Sequence, residues 1–416
     1  MSKKRVVVTG LGALTPVGNN INEFWANLLE GKSGAGPITK FNAEKFKTQF
    51  ACEVKNFDAG EILGKKEIRR LDPVMQYSLV ASDEAIADAG LADISDKNRV
   101  GVFWASGIGG IITLQHEVQD FTRGDGTPRF TPFLVPKMIV DASAGNISIR
   151  HGFTGPSAAI VTACASSTHC IGLGYDQIVL GRADVMIVGG AEATISEVGV
   201  GAFNALKALS TRNDDPLHAS RPFDKDRDGF VIGEGAGCLI LEELEHAKAR
   251  GAKIYAEVIG VAQNADAYHI TAPNPEGKGV IELIKLVLKD AGINPEDIDY
   301  INPHSTSTDL GDIAETNAIK TAIGDAIYDI HMSATKSMTG HLISAAGAVE
   351  SIVCIKTITE GKIPPTINFN EFDPQIDSNL KITPNKMIEA EVNIALNINY
   401  GFGGHNSAVI FKKYAE

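Results

Sequence analysis

Short apolar runs rich in β-branched residues and closed by glycine recur along the chain. RVVVTG opens it, and VGVFWASG from Val100, AAIVTA from Ala158, VMIVGG from Val185 and GCLILEE from Gly237 follow. Each predicts a buried strand. Between them, DPVMQYSLVASDEAIADAG from Asp72 repeats its alanines and large apolar residues at helical spacing. This alternation predicts stacked α/β layers.

After the charged helical segment LEELEHAKARG the pattern begins again, with IYAEVIGVA, IDYINPH, HMSATKS, VNIALNIN and SAVIFKK. The helix-like segment after Cys164 ends in IVLGRADV and the one after His341 in ITEGKIPP, which puts Gly181 and Gly361 in equivalent places. The echo is weak, since helices ending in glycine coincide often, but it points to a two-fold repeat.

At 416 residues, 44% hydrophobic and 21% charged, the chain has the composition of a soluble protein with a large core. A net charge of -13 argues against general nucleic-acid binding, so any acidic partner must meet a local basic patch. The basic start MSKKRVVVTGLGALTPVG is too short and too broken by glycine for a signal peptide. Nowhere do about 18 consecutive apolar residues occur, so no membrane span is expected. Five widely spread cysteines do not make a disulfide framework, and a reducing, cytoplasmic location follows.

Three motifs imitate known sites. RVVVTGLGALTPVG lacks the third glycine of a dinucleotide loop, because Thr15 stands there, and reads as a plain strand-to-helix turn. DKDRDGFVIGEG sets Asp224, Asp226 and Asp228 as in a calcium loop, yet its twelfth position is Gly235 and Pro222 interrupts the upstream flank. It reads as a turn held by local charge pairs. Cys164, His169 and Cys170 do not converge on one helical face, and no second cysteine pair lies nearby, so no metal site is expected.

In AAIVTACASSTHCIGLGYDQIVLG a strand passes through a small-residue junction into a helix, and Cys164 sits at the junction. The free N–H groups and positive end of a helix favour thiolate over thiol and offer donors to an oxyanion. Cys170, further into the helix, reads as core. His304 in DYINPHSTSTDLGD and His341 in SATKSMTGHLISAAGAVE stand in similar settings at strand or helix ends. A thiolate and two imidazoles at one sheet edge would combine a nucleophile with two donors or bases.

Taken in order, VVVTGLGALTPVG, TACASS, RPFDKDRDGFVIGEGAG, NPHSTSTDLGD, TKSMTGHLISAAGAVE and GFGGHN resemble a β-ketoacyl-acyl carrier protein synthase of the elongating, type II bacterial kind. The resemblance spans essentially the whole chain. It implies a thiolase-like five-layered αβαβα sandwich of two similar halves, placed at residues 1–250 and 251–416, and a homodimer. It implies condensation of an acyl-enzyme thioester with malonyl-acyl carrier protein, giving a 3-oxoacyl product two carbons longer plus CO2, in fatty acid elongation. No cofactor is implied, since substrates ride on the phosphopantetheine arm of acyl carrier protein. In this resemblance Cys164 matches the nucleophile, and His304 and His341 match the pair that promotes decarboxylation. Lys336 and Glu350 match a buried pair near the second histidine. Phe402 matches a gating residue whose N–H joins that of Cys164 in an oxyanion hole. Thr306, Thr308, Phe402 and Gly403 match substrate contacts. The basic cluster of Lys65, Lys66, Arg69 and Arg70, with Arg129 and Lys207, is the expected meeting place for acidic carrier protein.

Some residues depart from that family's pattern. Pro303 and Ser305 flank His304 in place of a small residue and glycine, Asp309 replaces proline, Tyr400 replaces phenylalanine and His405 replaces threonine. A side chain at 305 is expected to alter the approach of pantetheine. A degradative thiolase is disfavoured because NINYGFGGHN has no cysteine, and a starter-type synthase because His341 stands where asparagine belongs. A non-condensing carrier-protein-binding subunit is disfavoured by Cys164. A dedicated polyene or polyketide pathway is the remaining alternative.

Overall fold

The computed structural model describes residues 3–415. Ten strands share one mixed sheet. They are β1 (Val6–Leu14), β2 (Val100–Ala105), β3 (Ser157–Ile160), β4 (Val185–Glu192), β5 (Gly235–Glu243), β6 (Ala256–Ala265), β7 (Tyr300–Asn302), β8 (His331–Met332), β9 (Ile394–Gly401) and β10 (His405–Lys412). Their spatial order is β8-β7-β9-β10-β6-β1-β5-β4-β2-β3. Outward from the middle, each half therefore runs through its first, fifth, fourth, second and third strands. Pairing repeats as well: in each half the fifth strand is antiparallel to the first and to the fourth, and the fourth, second and third are parallel. Within the sheet the halves join where Val6–Val8 of β1 pair with Ala256–Val258 of β6.

Five helices complete the layers: α1 (Pro73–Asp88), α2 (Ser166–Val179), α3 (Lys278–Ala291), α4 (Asp309–Ile323) and α5 (Ala346–Glu360). α2 and α5 pack on each other and on strands of both halves, so they form the middle layer. Most residues of both are buried, as expected of helices apolar nearly all round. α1 covers the outer face of the first half, while α3 packs on the second with α4 against it. α3 shows one apolar stripe, Val280, Leu283, Ile284, Val287 and Leu288, turned inward. The two-half sandwich is thus the observed architecture. α2 and α5 each lie between the third and fourth strands of their half, and a left-handed glycine follows each helix, Gly181 at φ +71° and Gly361 at φ +63°. The faint echo in the sequence marked equivalent helices. Among the described residues no helix is long and apolar enough to cross a membrane.

Two local expectations fail. β1 does not turn at its glycines but runs straight through Gly10 and Gly12 to Leu14. A β-carbon at Gly12 would stand 2.0 Å from the carbonyl oxygen of Ala81, so these glycines let α1 lie against the strand. The run AAIVTA is not a buried strand either. β3 is the end strand of the sheet, its residues half-buried or exposed, and Val161 after it is 50% exposed.

Candidate active site

Cys164 lies between β3 and α2, and the turn that carries it is built tightly. Ser166 Oγ accepts from Thr162 N–H at 2.8 Å and donates to Ala163 O at 2.6 Å. Ala163 takes a left-handed φ of +50°, a strained conformation for a residue with a β-carbon. The helix itself opens two residues later, at Ser166. Burial pushes the Cys164 thiol up to about 12, opposed by the charge of Lys336. Desolvation thus works against the thiolate that a nearby helix end and Lys336 favour.

His304 follows β7, and His341 is fixed by a hydrogen bond from its N–H to Val231 O at 2.8 Å. Their ligand-capable nitrogens and the Cys164 sulfur all lie within 4.8 Å of one another. The two imidazoles meet edge to face, with Phe230 against His341 and Tyr400 against His304. Burial lowers both histidines well below their ordinary value, and Lys336 lowers them further. Both rings are neutral at neutral pH. The structure thus brings the thiol and both histidines to one point, whereas Cys170 is fully buried in the core and His169 turns to Thr162 and Ala165.

Behind the histidines, Lys336 and Glu350 form a buried ion pair. The remaining Glu350 oxygen accepts from Asn399 Nδ2 at 2.6 Å, and the same amide nitrogen reaches His304 Nδ1 at 3.2 Å. Thr168 in α2 donates to Asn399 Oδ1 at 2.5 Å. A β-carbon on Gly347 would stand 1.9 Å from Thr168 Oγ1 and 2.7 Å from Asn399 Oδ1, so only glycine leaves room for this contact. Asn399 and Thr168 were not singled out from the sequence. The available signal was an asparagine inside the apolar strand segment NIALNIN, since a buried polar residue needs partners.

Two departures from the family pattern meet on one carboxylate, that of Glu315 in α4. One oxygen accepts from His304 N–H and from the Tyr400 hydroxyl, each at 2.6 Å. The other accepts from Ser305 N–H at 2.7 Å and Ser305 Oγ at 2.8 Å. The side chain at 305 is thus spent on Glu315. DKDRDG clamps the same loop from outside: Arg227 reaches Thr308 O and Asp309 O, and Asp224 accepts from Asn370 N–H at 2.6 Å. The calcium-like motif is a charge-paired turn, as its sequence suggested.

A cavity of about 440 Å³ opens from the surface onto Cys164, His304 and His341. Thr306, Thr308 and Phe402 line it, and Lys207 stands on its wall. Thr306 and Thr308 face each other, hydroxyl to hydroxyl at 3.1 Å. Gly403, the other expected substrate contact, stands behind Phe402 and outside the wall, and its N–H donates to Ile270 O at 2.7 Å. A β-carbon on Gly401 would stand 2.8 Å from Cys164 N, so the GFGG turn lies directly against the backbone of the cysteine. Lys65, Lys66, Arg69 and Arg70 are exposed on two short irregular turns, and among the described residues none of the four forms an ion pair. Arg129 is taken up by Asp125 at 3.2 Å.

Comparison with known proteins places this architecture. The beta-ketoacyl synthase N-terminal domain matches residues 3–247 and the C-terminal domain residues 255–370. The chain is 48% identical to the 3-oxoacyl-[acyl-carrier-protein] synthase 2 of Synechocystis sp., covering 100% of this chain and 99% of that protein. It is 46% identical to the protein of the same name from Staphylococcus aureus, covering 99% of each. Among solved structures, a beta-ketoacyl synthase from Burkholderia phymatum superposes with a TM-score of 0.92 at 34% identity, covering 99% of this chain and 100% of that one. A type II polyketide ketosynthase solved with its acyl-carrier protein superposes with a TM-score of 0.90 at 35% identity, covering 100% of both chains.

Proposed function

Because the chain belongs to the beta-ketoacyl synthase family, we propose that it condenses an acyl-enzyme thioester with malonyl-acyl carrier protein in fatty acid elongation, as a 3-oxoacyl-acyl carrier protein synthase of type II. The observation that carries this reading is one cysteine within 4.8 Å of two buried, neutral histidines at the end of a cavity.

In the first stage the Cys164 sulfur attacks the acyl thioester delivered on the pantetheine arm, which Thr306 and Thr308 contact. Charge builds on the carbonyl oxygen, and the N–H groups of Cys164 and Phe402 receive it. The pantetheine sulfur leaves and takes up the proton that the Cys164 thiol gives away. In the second stage malonyl carrier protein enters and its C–CO2 bond breaks. The electron pair passes into an enolate whose oxygen accepts hydrogen bonds from His304 and His341. Neutral imidazoles suit this task, because an imidazolium would protonate the carbanion. The carbanion then attacks the carbonyl carbon of the Cys164 thioester, the carbon–sulfur bond breaks, the Cys164 sulfur leaves and takes up a proton from water, and the new 3-oxoacyl chain departs on carrier protein. Lys336 and Glu350 hold the geometry behind the histidines, and the chemistry needs no resident cofactor.

Acyl carrier protein is the partner we assign. Its acidic surface would meet Lys65, Lys66, Arg69 and Arg70, with Lys207 at the cavity wall and Arg129 as weaker contributors. We also assign a cytoplasmic location and a homodimer, closed over β3 at the end of the sheet, where Val161 is exposed and Ile149, on the helix that precedes the strand, is 81% exposed. Residues 1–250 then supply the nucleophile and residues 251–416 the histidines.

The test is direct. Purified protein given acyl- and malonyl-carrier protein should release CO2 and yield a 3-oxoacyl product two carbons longer. Absence of both products with active carrier protein would overturn the reading. A chain-length series then separates fatty acid elongation from a dedicated pathway.

A further inference from the structure

A decarboxylating histidine is useful only if the nitrogen facing the substrate carries its proton. Neutral imidazole has two tautomers, and the partner of one nitrogen decides which is present. For His304 that partner is Asn399 Nδ2, 3.2 Å from Nδ1. The orientation of this amide is itself determined. Its other donor direction ends on Glu350 at 2.6 Å, and Glu350, set against the Lys336 ammonium, is an acceptor. Its oxygen receives the Thr168 hydroxyl at 2.5 Å. Reversing the amide would place its oxygen against the Glu350 carboxylate, acceptor against acceptor, so it is the contact with Glu350 that fixes the orientation and keeps a donor against Nδ1.

We infer that Asn399 is a positioning residue that locks His304 in the tautomer with hydrogen on Nε2. The lock is a relay. Lys336 fixes Glu350, Glu350 and Thr168 fix the Asn399 amide, and the amide donates to Nδ1, leaving Nε2–H to face the cavity. Because Nε2 then has no free lone pair, His304 is a permanent donor and is not the acceptor of the Cys164 proton. Its ring is also held from the backbone side, through the bond from its own N–H to Glu315. Lys336, Glu350, Thr168 and Asn399 are all fully or almost fully buried, and in such surroundings each hydrogen bond of the relay is strengthened by its neighbours.

The activity part of this inference rests on the condensing function proposed above, but the tautomer does not. In protein labelled with 15N at histidine, long-range 1H–15N spectra, assigned against His304→Ala, should show His304 protonated on Nε2. Asn399→Asp puts an acceptor against Nδ1 and should move the proton there. Decarboxylation of malonyl carrier protein should fall at least about tenfold, while acylation of Cys164 by acyl carrier protein stays within about twofold. If Asn399→Asp does not fold, Asn399→Ser, smaller and neutral, carries the test and should give mixed tautomers with a smaller loss. Asn399→Gln should restore part of the signal. A His304 spectrum unchanged in the folded variants overturns the lock, and a changed spectrum with undiminished decarboxylation overturns its part in catalysis. If the wild-type protein itself fails to decarboxylate, the function is wrong and the spectra still decide the lock.

Discussion

The imidazoles of His304 and His341 stand with centroids 5.2 Å apart and planes at 88°, so their edges converge without stacking. Two donors set at an angle can reach one enolate oxygen from different directions. Replacing either by alanine should lower malonyl decarboxylation by roughly 10²–10³-fold, the usual cost of one oxyanion donor. Acylation of Cys164, followed by mass spectrometry, should persist in both variants. Equal loss of both steps would contradict the division of labour.

Cys164→Ala removes the sulfur but neither histidine. Extension should drop to background, while CO2 release from malonyl carrier protein continues, because enolate formation needs no thioester on the enzyme. Undiminished condensation would rule out Cys164 as the nucleophile.

Acidity offers a separate check. An ordinary imidazole, with a pKa of about 6.5, is about three-quarters protonated at about pH 6. His304 and His341 lie well below that value because burial and the Lys336 charge disfavour the cation. Falling pH therefore charges them only far into the acid range, and rising pH changes nothing, since both are already neutral. Decarboxylation should be flat between about pH 8 and about pH 6, measured with saturating malonyl carrier protein. A halving near 6.5 would show a normally titrating histidine.

Lys336→Met leaves Glu350 as an unpaired charge in the interior. Loss of one member of a buried pair costs about 3–5 kcal/mol. Glu350→Gln added to Lys336→Met should recover part of that, and denaturant unfolding of the two single variants and the double variant measures the coupling.

Lys66→Glu combined with Arg69→Glu should weaken carrier-protein binding, with a loss that grows as salt is lowered. Neither residue touches the cavity, so hydrolysis or transfer from a small acyl-thioester substrate should be unchanged. Equal affinity at low salt would move the docking site elsewhere.

The layers and the reactive side chains were legible in the sequence because each is marked locally: strands by β-branched runs closed with glycine, Cys164, His304 and His341 by motifs at strand and helix ends. What surrounds them was not. Asn399 meets His304 across 95 positions and Thr168 across 231, distances over which no spacing rule operates. The opposing pulls on the Cys164 thiol escape a sequence for a related reason. A helix terminus can be read from a few residues, but desolvation is a property of the whole cavity. Ser305 and Tyr400 looked like two unrelated departures and turn out to share Glu315.

The two halves have the same strand order, yet the thiol comes from one and both imidazoles from the other, with only three residues of β1 joining the sheets. Neither half alone holds both the sulfur and the imidazoles, so condensation needs the two together. Turnover thus serves as a built-in certificate of assembly: any molecule that releases product has already brought its duplicated halves into register.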